Sequence, residues 1–429
     1  MGLFDLFGGK KQDKVTEEER EQNLQDQKEK ELEEAKAAHE GLEWPEMPRL
    51  NPVNIKDGDN LAMNETVTQE RKEEIGPMIY EDDIPSDTLK FFSCQELLFL
   101  LTTLEVFNKK APLPGYEKNH RKVYNEVLGR VRDSKTLYVL YDMATGYPFV
   151  DHGYANIYLE EDIAKRAGEM FVKQFRKLVA REIKVEAESE NAAQSKTFYD
   201  FLYYLGINNL VVDNGAYRMR FKRNEIMADP GQWNSDEKSQ EPKNPALNFA
   251  MLDFVGELRW PVKYEKRAEV LTAKESRMLS LIRKSRFIVP MQHEGPMEVS
   301  EDGRLKINKA SKLKFLVLKT PDGKEFLPVY TDMFEFRKKD KGTEWDAAVF
   351  AYADIIRFAV EKDGITINPE GLSLVLAKDR IAKLEEESSK AEAAKVKAVK
   401  KNAAGKTADA AVQQALNQAM AKMNEKNED

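Results

Sequence analysis

The side chains from which this chain could build chemistry are few and scattered. Its four histidines, His39, His120, His152 and His293, stand in unrelated contexts, with no spacing that brings two of them onto one metal ion. Asp151-His152, beside Tyr154, is the most suggestive acid–imidazole pair. Adjacent residues of a strand point to opposite faces, so Asp151 is expected not to orient the ring, and His152 reads as a solvated histidine. Two acidic triplets, Glu81-Asp82-Asp83 and Glu160-Glu161-Asp162, have the oxygen ligands for a cation; in loops and first turns of helices such runs serve as caps and solvated charge. Cys94 follows Ser93 at the head of a helix, where the dipole would lower a thiol pKa. With no histidine partner in the sequence it reads as a half-buried structural thiol. Gly8-Gly9-Lys10 lacks the spacing of a phosphate loop, and neither a Gly-x-Gly-x-x-Gly run after a strand nor His-Glu-x-x-His occurs. No catalytic set, no metal site and no cofactor is assigned.

Composition narrows the function classes further. A chain of 429 residues has room for two or three domains with cores of their own. Charged residues make up 33% and the net charge is -8, which weighs against a nucleic-acid binder held by phosphate contacts. The single cysteine excludes an intrachain disulfide framework and favours a reducing compartment. No apolar stretch approaches the roughly 20 residues of a spanning helix, and the start lacks the features of a signal peptide. The expected location is cytoplasmic. Leu3, Phe4, Leu6 and Phe7, next to Lys10-Lys11, form a short apolar patch, so weak membrane-surface contact through residues 1–11 is a second reading. Myristoylation of Gly2 is rejected because position 6 is Leu.

The elements that would position functional side chains fall into two sets. Residues 1–87 are a charged extension and linker, 88–227 and 244–387 are two modules separated by a polar linker at 228–243, and 388–429 is an Ala-, Lys- and Glu-rich tail. In the first module a Ser93/Glu96 capping box opens a helix. A second helix carries Val123, Val127 and Val131, and strands are expected at 136–141, 147–150 and 154–159. A long amphipathic helix should run from Ile163 to Ile183, followed by a helix at 198–205, a strand at 210–212 and a turn at Asp213-Asn214-Gly215. In the second module Asn244-Pro245 opens a helix and Thr272/Glu275 a further capped one. The strand Arg286–Val289 precedes a hairpin over Leu313–Asp332, turning at Thr-Pro-Asp-Gly. Pro328 cannot donate to a ladder and so belongs at an edge or bulge. Thr343 should cap a helix with Trp345, Val349, Tyr352, Ile356 and Val360 as its buried stripe, ended by Gly364. A strand at 365–367, a turn at Asn368-Pro369-Glu370-Gly371 and a last strand close the module. The two sets superpose in pattern, with Asp213 opposite Asn368. The fold class expected is α+β: two related small mixed modules in tandem, with charged helical or disordered ends.

The segment around Pro328, Tyr330, Thr331 and Asp332, and the turn at Asn368 and Pro369, are the most distinctive candidate surfaces, able to frame a binding cleft because loops at strand ends carry function. Together with Phe287-Ile288-Val289-Pro290, Trp345 and Gly364-Ile365-Thr366-Ile367, they resemble the N-terminal domain of the bacterial SseB (enhanced serine sensitivity) proteins over about residues 270–385. The first half resembles it as a drifted copy, with Pro148-Phe149-Val150 and Asp213-Asn214-Gly215 where the cleaner motifs stand. The resemblance implies a small α+β domain without an established reaction. The leading expectation is a non-catalytic module that binds a protein or small-molecule partner. The alternatives are a peripheral membrane adaptor anchored by Leu3, Phe4, Leu6 and Phe7, and an enzyme or regulator linked to amino-acid (serine) metabolism.

Overall fold

The computed structural model describes residues 17–47, 65–186, 197–230, 241–294, 298–299, 305–306, 312–339 and 344–386. The apolar start with Leu3, Phe4, Leu6 and Phe7, Thr343, most of the 228–243 linker and the tail from 388 lie outside these residues. The chain is α+β and divides into two compact units, Met1–Ser235 with Leu252–Leu271, and Asp236–Met251 with Thr272–Asp429.

The first unit opens with α1 (Glu17–Ala38), α2 (Gln69–Ile75) and α3 (Ser86–Lys90). The Ser93/Glu96 capping box then starts α4 (Cys94–Lys110), whose leucines are fully buried, and α5 (Tyr116–Asp133) buries Val123, Val127 and Val131. His39, just after α1, is buried: its Nε2 lies 2.9 Å from the Phe107 carbonyl and its Nδ1 3.1 Å from the Tyr80 hydroxyl. The sheet is built from β1 (Thr136–Asp142), β2 (Tyr147–Pro148), β3 (Val150–Asp151), β4 (Tyr154–Tyr158), β5 (Leu178–Lys184), β6 (Asn209–Val212) and β7 (Met219–Lys222). Its spine runs β2-β1-β4-β6-β7; β3 pairs with β4 and β5 with β1. Only β4 and β6 are parallel. Helices α6 (Glu161–Val172), α7 (Phe198–Tyr204) and α8 (Arg223–Ile226) complete the unit.

One expected helix is replaced by two elements. The periodicity from Ile163 to Ile183 ends at Val172, Phe175 takes a left-handed φ of 60°, and Leu178–Lys184 becomes β5, in register with all seven residues of β1. The strand forms because β1 offers an open ladder edge, which a helical continuation would leave unpaired.

The second unit follows a comparable course. After α9 (Pro245–Arg259) and α10 (Arg267–Lys284), of which Leu252–Leu271 is counted with the first unit, come β8 (Arg286–Glu294), β9 (Glu298–Val299), β10 (Leu305–Lys306), β11 (Lys312–Phe315), β12 (Leu318–Lys319) and β13 (Glu325–Val329). Then follow α11 (Met333–Lys339), β14 (Asp346–Ala351), α12 (Tyr352–Phe358), β15 (Gly364–Ile367) and β16 (Leu374–Ala377). Thr272, expected to cap a helix, lies inside α10. The Leu313–Asp332 hairpin survives only as two register pairs, Leu318 with Phe326 and Lys319 with Glu325, because β11 pairs with β8 instead. The helix expected from Trp345 to Val360 is shortened to α12; Asp346–Ala351 is a strand on β8, with Val349 and Trp345 packed against Ile288, Tyr330 and Phe336. The open edge of β8, whose amides and carbonyls need partners, outweighs a helical spacing here.

Gly364 begins β15 rather than ending a helix. Its φ is 150°, and a Cβ there would stand 2.1 Å from the Leu376 carbonyl oxygen of β16. Pro328 occupies a gap in the ladder. Glu325 and Val329 turn their carbonyls to β15, accepting from the Asp363 and Asn368 amides, whereas Tyr330 exchanges both backbone bonds with Ile288 of β8. By alternation Pro328 faces the same side as Tyr330, between the end of β12 at Phe326 and the contact with β8. Its missing N–H removes no bond from either partner.

Gly364→Ala should therefore cost about 2 kcal/mol or more of stability, the scale of a forced backbone shift. Gly323→Ala, at a turn with open space around the site, should cost about 1 kcal/mol, the scale of a strained turn φ. Urea unfolding of the two full-length variants provides the comparison.

Candidate functional site

The six candidate residues converge, but inside the second unit rather than on its surface. Tyr330, Thr331, Asp332 and Asn368 are at most 2% exposed, Pro328 is buried, and only Pro369 is partly open. They therefore frame no open cleft. The reason lies at the C-terminal ends of the parallel strands β13 and β15, where the ladder stops and buried amides need other partners. Asn368 takes a left-handed φ of 50°, which Asn tolerates, and its Oδ1 accepts the Thr331 N–H at 3.0 Å. Its Nδ2 donates to Thr331 Oγ1 at 2.9 Å, and that hydroxyl donates to Asp332 Oδ2 at 2.8 Å. Asp332 Oδ1 accepts the Glu335 N–H at 2.9 Å and so caps α11. Asn248 of α9 donates to Asp332 Oδ2 at 2.9 Å, and Asn244 Nδ2 to the Thr331 carbonyl at 2.6 Å. The Tyr330 hydroxyl reaches Glu370 Oε2 at 2.9 Å.

The sequence reading missed Asn244, Asn248, Glu335 and Glu370. Asn244 and Asn248 were visible in principle as amides four residues apart at the head of a helix whose other inward residues, Leu247 and Met251, are apolar.

The first unit repeats the arrangement at Asp213, which follows β6 as Asn368 follows β15. Asp213 has φ 55°, is fully buried, and its N–H bonds the Ile157 carbonyl as the Asn368 N–H bonds that of Val329. Its Oδ1 accepts the Leu159 N–H at 3.3 Å. Tyr158, completely buried, donates to the Asn214 carbonyl at 3.0 Å, in the place of Tyr330. Ile157-Tyr158-Leu159 thus stands opposite Val329-Tyr330-Thr331; Pro148-Phe149-Val150, expected to match, belongs to the preceding short strands. The second carboxylate oxygen is met by Gln95 Nε2 at 2.9 Å, and the Cys94 thiol donates to the same carboxyl. Burial pushes the thiol up, against the effect of the helix dipole, and Cys94 is buried rather than half buried.

Burial also raises both acids. Asp213 is pushed up to about 7; Asp332 is raised to about 6 by burial and by the neighbouring charge of Glu335. The other sequence candidates stay apart. His152 sits in the β3–β4 turn at φ 48°, not on a strand, so its Nδ1 does approach Asp151 Oδ1, at 2.8 Å, with the ring 91% exposed. The Glu81–Asp83 triplet is held by lysines, Asp82 by Lys28 and Asp83 by Lys118 and Lys122. Among the described residues no group of histidine, cysteine and acidic side chains is arranged to hold a metal ion, and no helix is long and apolar enough to cross a membrane.

Residues 265–383 match the model of the SseB protein N-terminal domain. No curated protein and no solved structure matches the chain.

A carboxyl that titrates higher in the folded than in the unfolded chain binds its proton more tightly when folded. The stability it contributes is complete below about pH 4 and is lost as pH rises through about 6 for Asp332 and about 7 for Asp213. The melting temperature should fall across that window. Asp213→Asn should flatten the upper part of the fall, at a cost of about 1–2 kcal/mol at pH 5 for an amide facing the Gln95 amide. Asn368→Asp should steepen the fall. Calorimetry of the full chain from pH 4 to 8 reads both.

Proposed function

We propose that the chain is a tandem pair of SseB-like modules, the first a divergent copy of the second, acting in the cytoplasm as a non-catalytic binding protein for a protein partner. The observation that carries the reading is the shared plan of the two units. In each, an antiparallel strand (β1 or β8) meets the first of two parallel strands (β4 with β6, or β13 with β15). The last strand (β7 or β16) returns antiparallel. The same left-handed Asp or Asn then ties the parallel ends together. Parallel strand ends are where open α/β sheets present ligand and catalytic groups. Here those side chains are directed at one another and at buried backbone, which supports a structural role for them and recognition by the outer surfaces.

The test is capture from native lysate with the full chain and, in parallel, residues 17–387, which keep helices α1, α2 and α3 and the side chains they bury. Comparable recovery of the same partners by both is expected. Loss of every partner from the shortened chain would overturn the assignment of binding to the modules.

A further inference from the structure

Both units end their sheets with an outward row of three residues on the last strand, and the two rows differ in chemistry. In the second unit β16 pairs Val375 with Thr366, two residues before Asn368. In the first, β7 pairs Arg220 with Val211, two residues before Asp213. Side chains alternate along a strand and paired residues share a face. The matching rows are therefore Arg218, Arg220 and Lys222 in the first unit and Ser373, Val375 and Ala377 in the second. Val375 is 51% exposed, so the second row is open and apolar at its centre. The first is open and basic.

Arg218 is held by two interior amides. Its Nη1 donates to Asn214 Oδ1 at 2.8 Å, and Asn214 Nδ2 donates to Asn156 Oδ1 at 2.7 Å. Asn156 is completely buried and Asn214 nearly so. Asn156 pairs with Val211, which pairs with Arg220, so the buried amide and Arg220 lie on one face of the sheet. Two buried polar side chains thus fix a guanidinium that has no carboxylate within ion-pair distance among the described residues. Arg220 is exposed, stacks its Cζ 5.3 Å from the Tyr154 ring centre, and is close enough to Arg218 to repel it. Asp151 is the acid that acts on Arg218, and its carboxylate is engaged by His152 at 2.8 Å. Two guanidiniums, one of them oriented before any ligand arrives, suit a doubly charged oxyanion, because their N–H groups donate to several of its oxygens and their joint charge exceeds that of Asp151.

We infer that Arg218 and Arg220, aligned by Asn214 and Asn156 beside Tyr154, form a binding site for a phosphate dianion on the outer sheet face of the first unit. The site is defined within that unit and does not depend on the two units being copies. The probe is inorganic phosphate at pH 8, added to the full chain at constant ionic strength against chloride and against acetate. A melting temperature rising by a few degrees with phosphate alone is expected, as binding to the native state requires. Arg220→Gln, a change at an exposed residue, should remove most of that rise, and Arg218→Gln the whole of it. Arg357→Gln, in the second unit, should leave it intact. Equal shifts with acetate, or a phosphate shift unchanged in Arg220→Gln, would overturn the proposal.

Discussion

A pair of parallel strands that ends inside a protein leaves backbone amides with nowhere to go, and both units meet this constraint in the same way. The residue after the second strand turns into the left-handed region, which lets its short side chain reach back across the pair and accept the N–H just beyond the first strand. Only Asp and Asn combine tolerance of that backbone with an acceptor at the right length. Much of what lies nearby is fixed by this contact. In the second unit it orients Thr331, which orients Asp332, which caps α11; Asn244 and Asn248 bring the head of α9 to the same point. The network is satisfied as a group, so altering one member leaves others without a partner in a medium of low polarity.

The two units differ in the group they place at that corner, and the difference has electrostatic weight. Asn368 is neutral and completes its bonds with a threonine hydroxyl. Asp213 gathers the Leu159 N–H, the Gln95 amide and the Cys94 thiol, three donors that would suit a carboxylate, yet burial still dominates and raises its pKa. Desolvation of a whole charge outweighs a few hydrogen bonds when no cation is present. The second unit escapes this tension at Asn368 and carries it at Asp332 instead, one residue along the same chain of bonds.

The α+β character, the capping box at Ser93 and the turns at Asp213 and Asn368 were legible from residue types, because each rests on local backbone chemistry. What misled was periodicity beside an open sheet edge. Leu178–Lys184 and Asp346–Ala351 carry helical spacing but pair along β1 and β8, a choice made by distant strands that no local window contains. Turns commonly lie at the surface, which is why residue types alone point the candidate residues outward. Burial of this turn depends on α9 arriving with its two asparagines, and that approach is again non-local.

Pro328 has an effect that reaches beyond the site it occupies. On one side of β13 two different strands take successive turns as neighbour, and the proline stands at the handover. Either neighbour, sliding along to claim the other's stretch, would meet a residue with no hydrogen to offer. The pyrrolidine ring therefore acts as a boundary marker between two competing ladders. A misaligned sheet is disfavoured from the first moments of assembly, and a foreign strand finds no continuous template along that side.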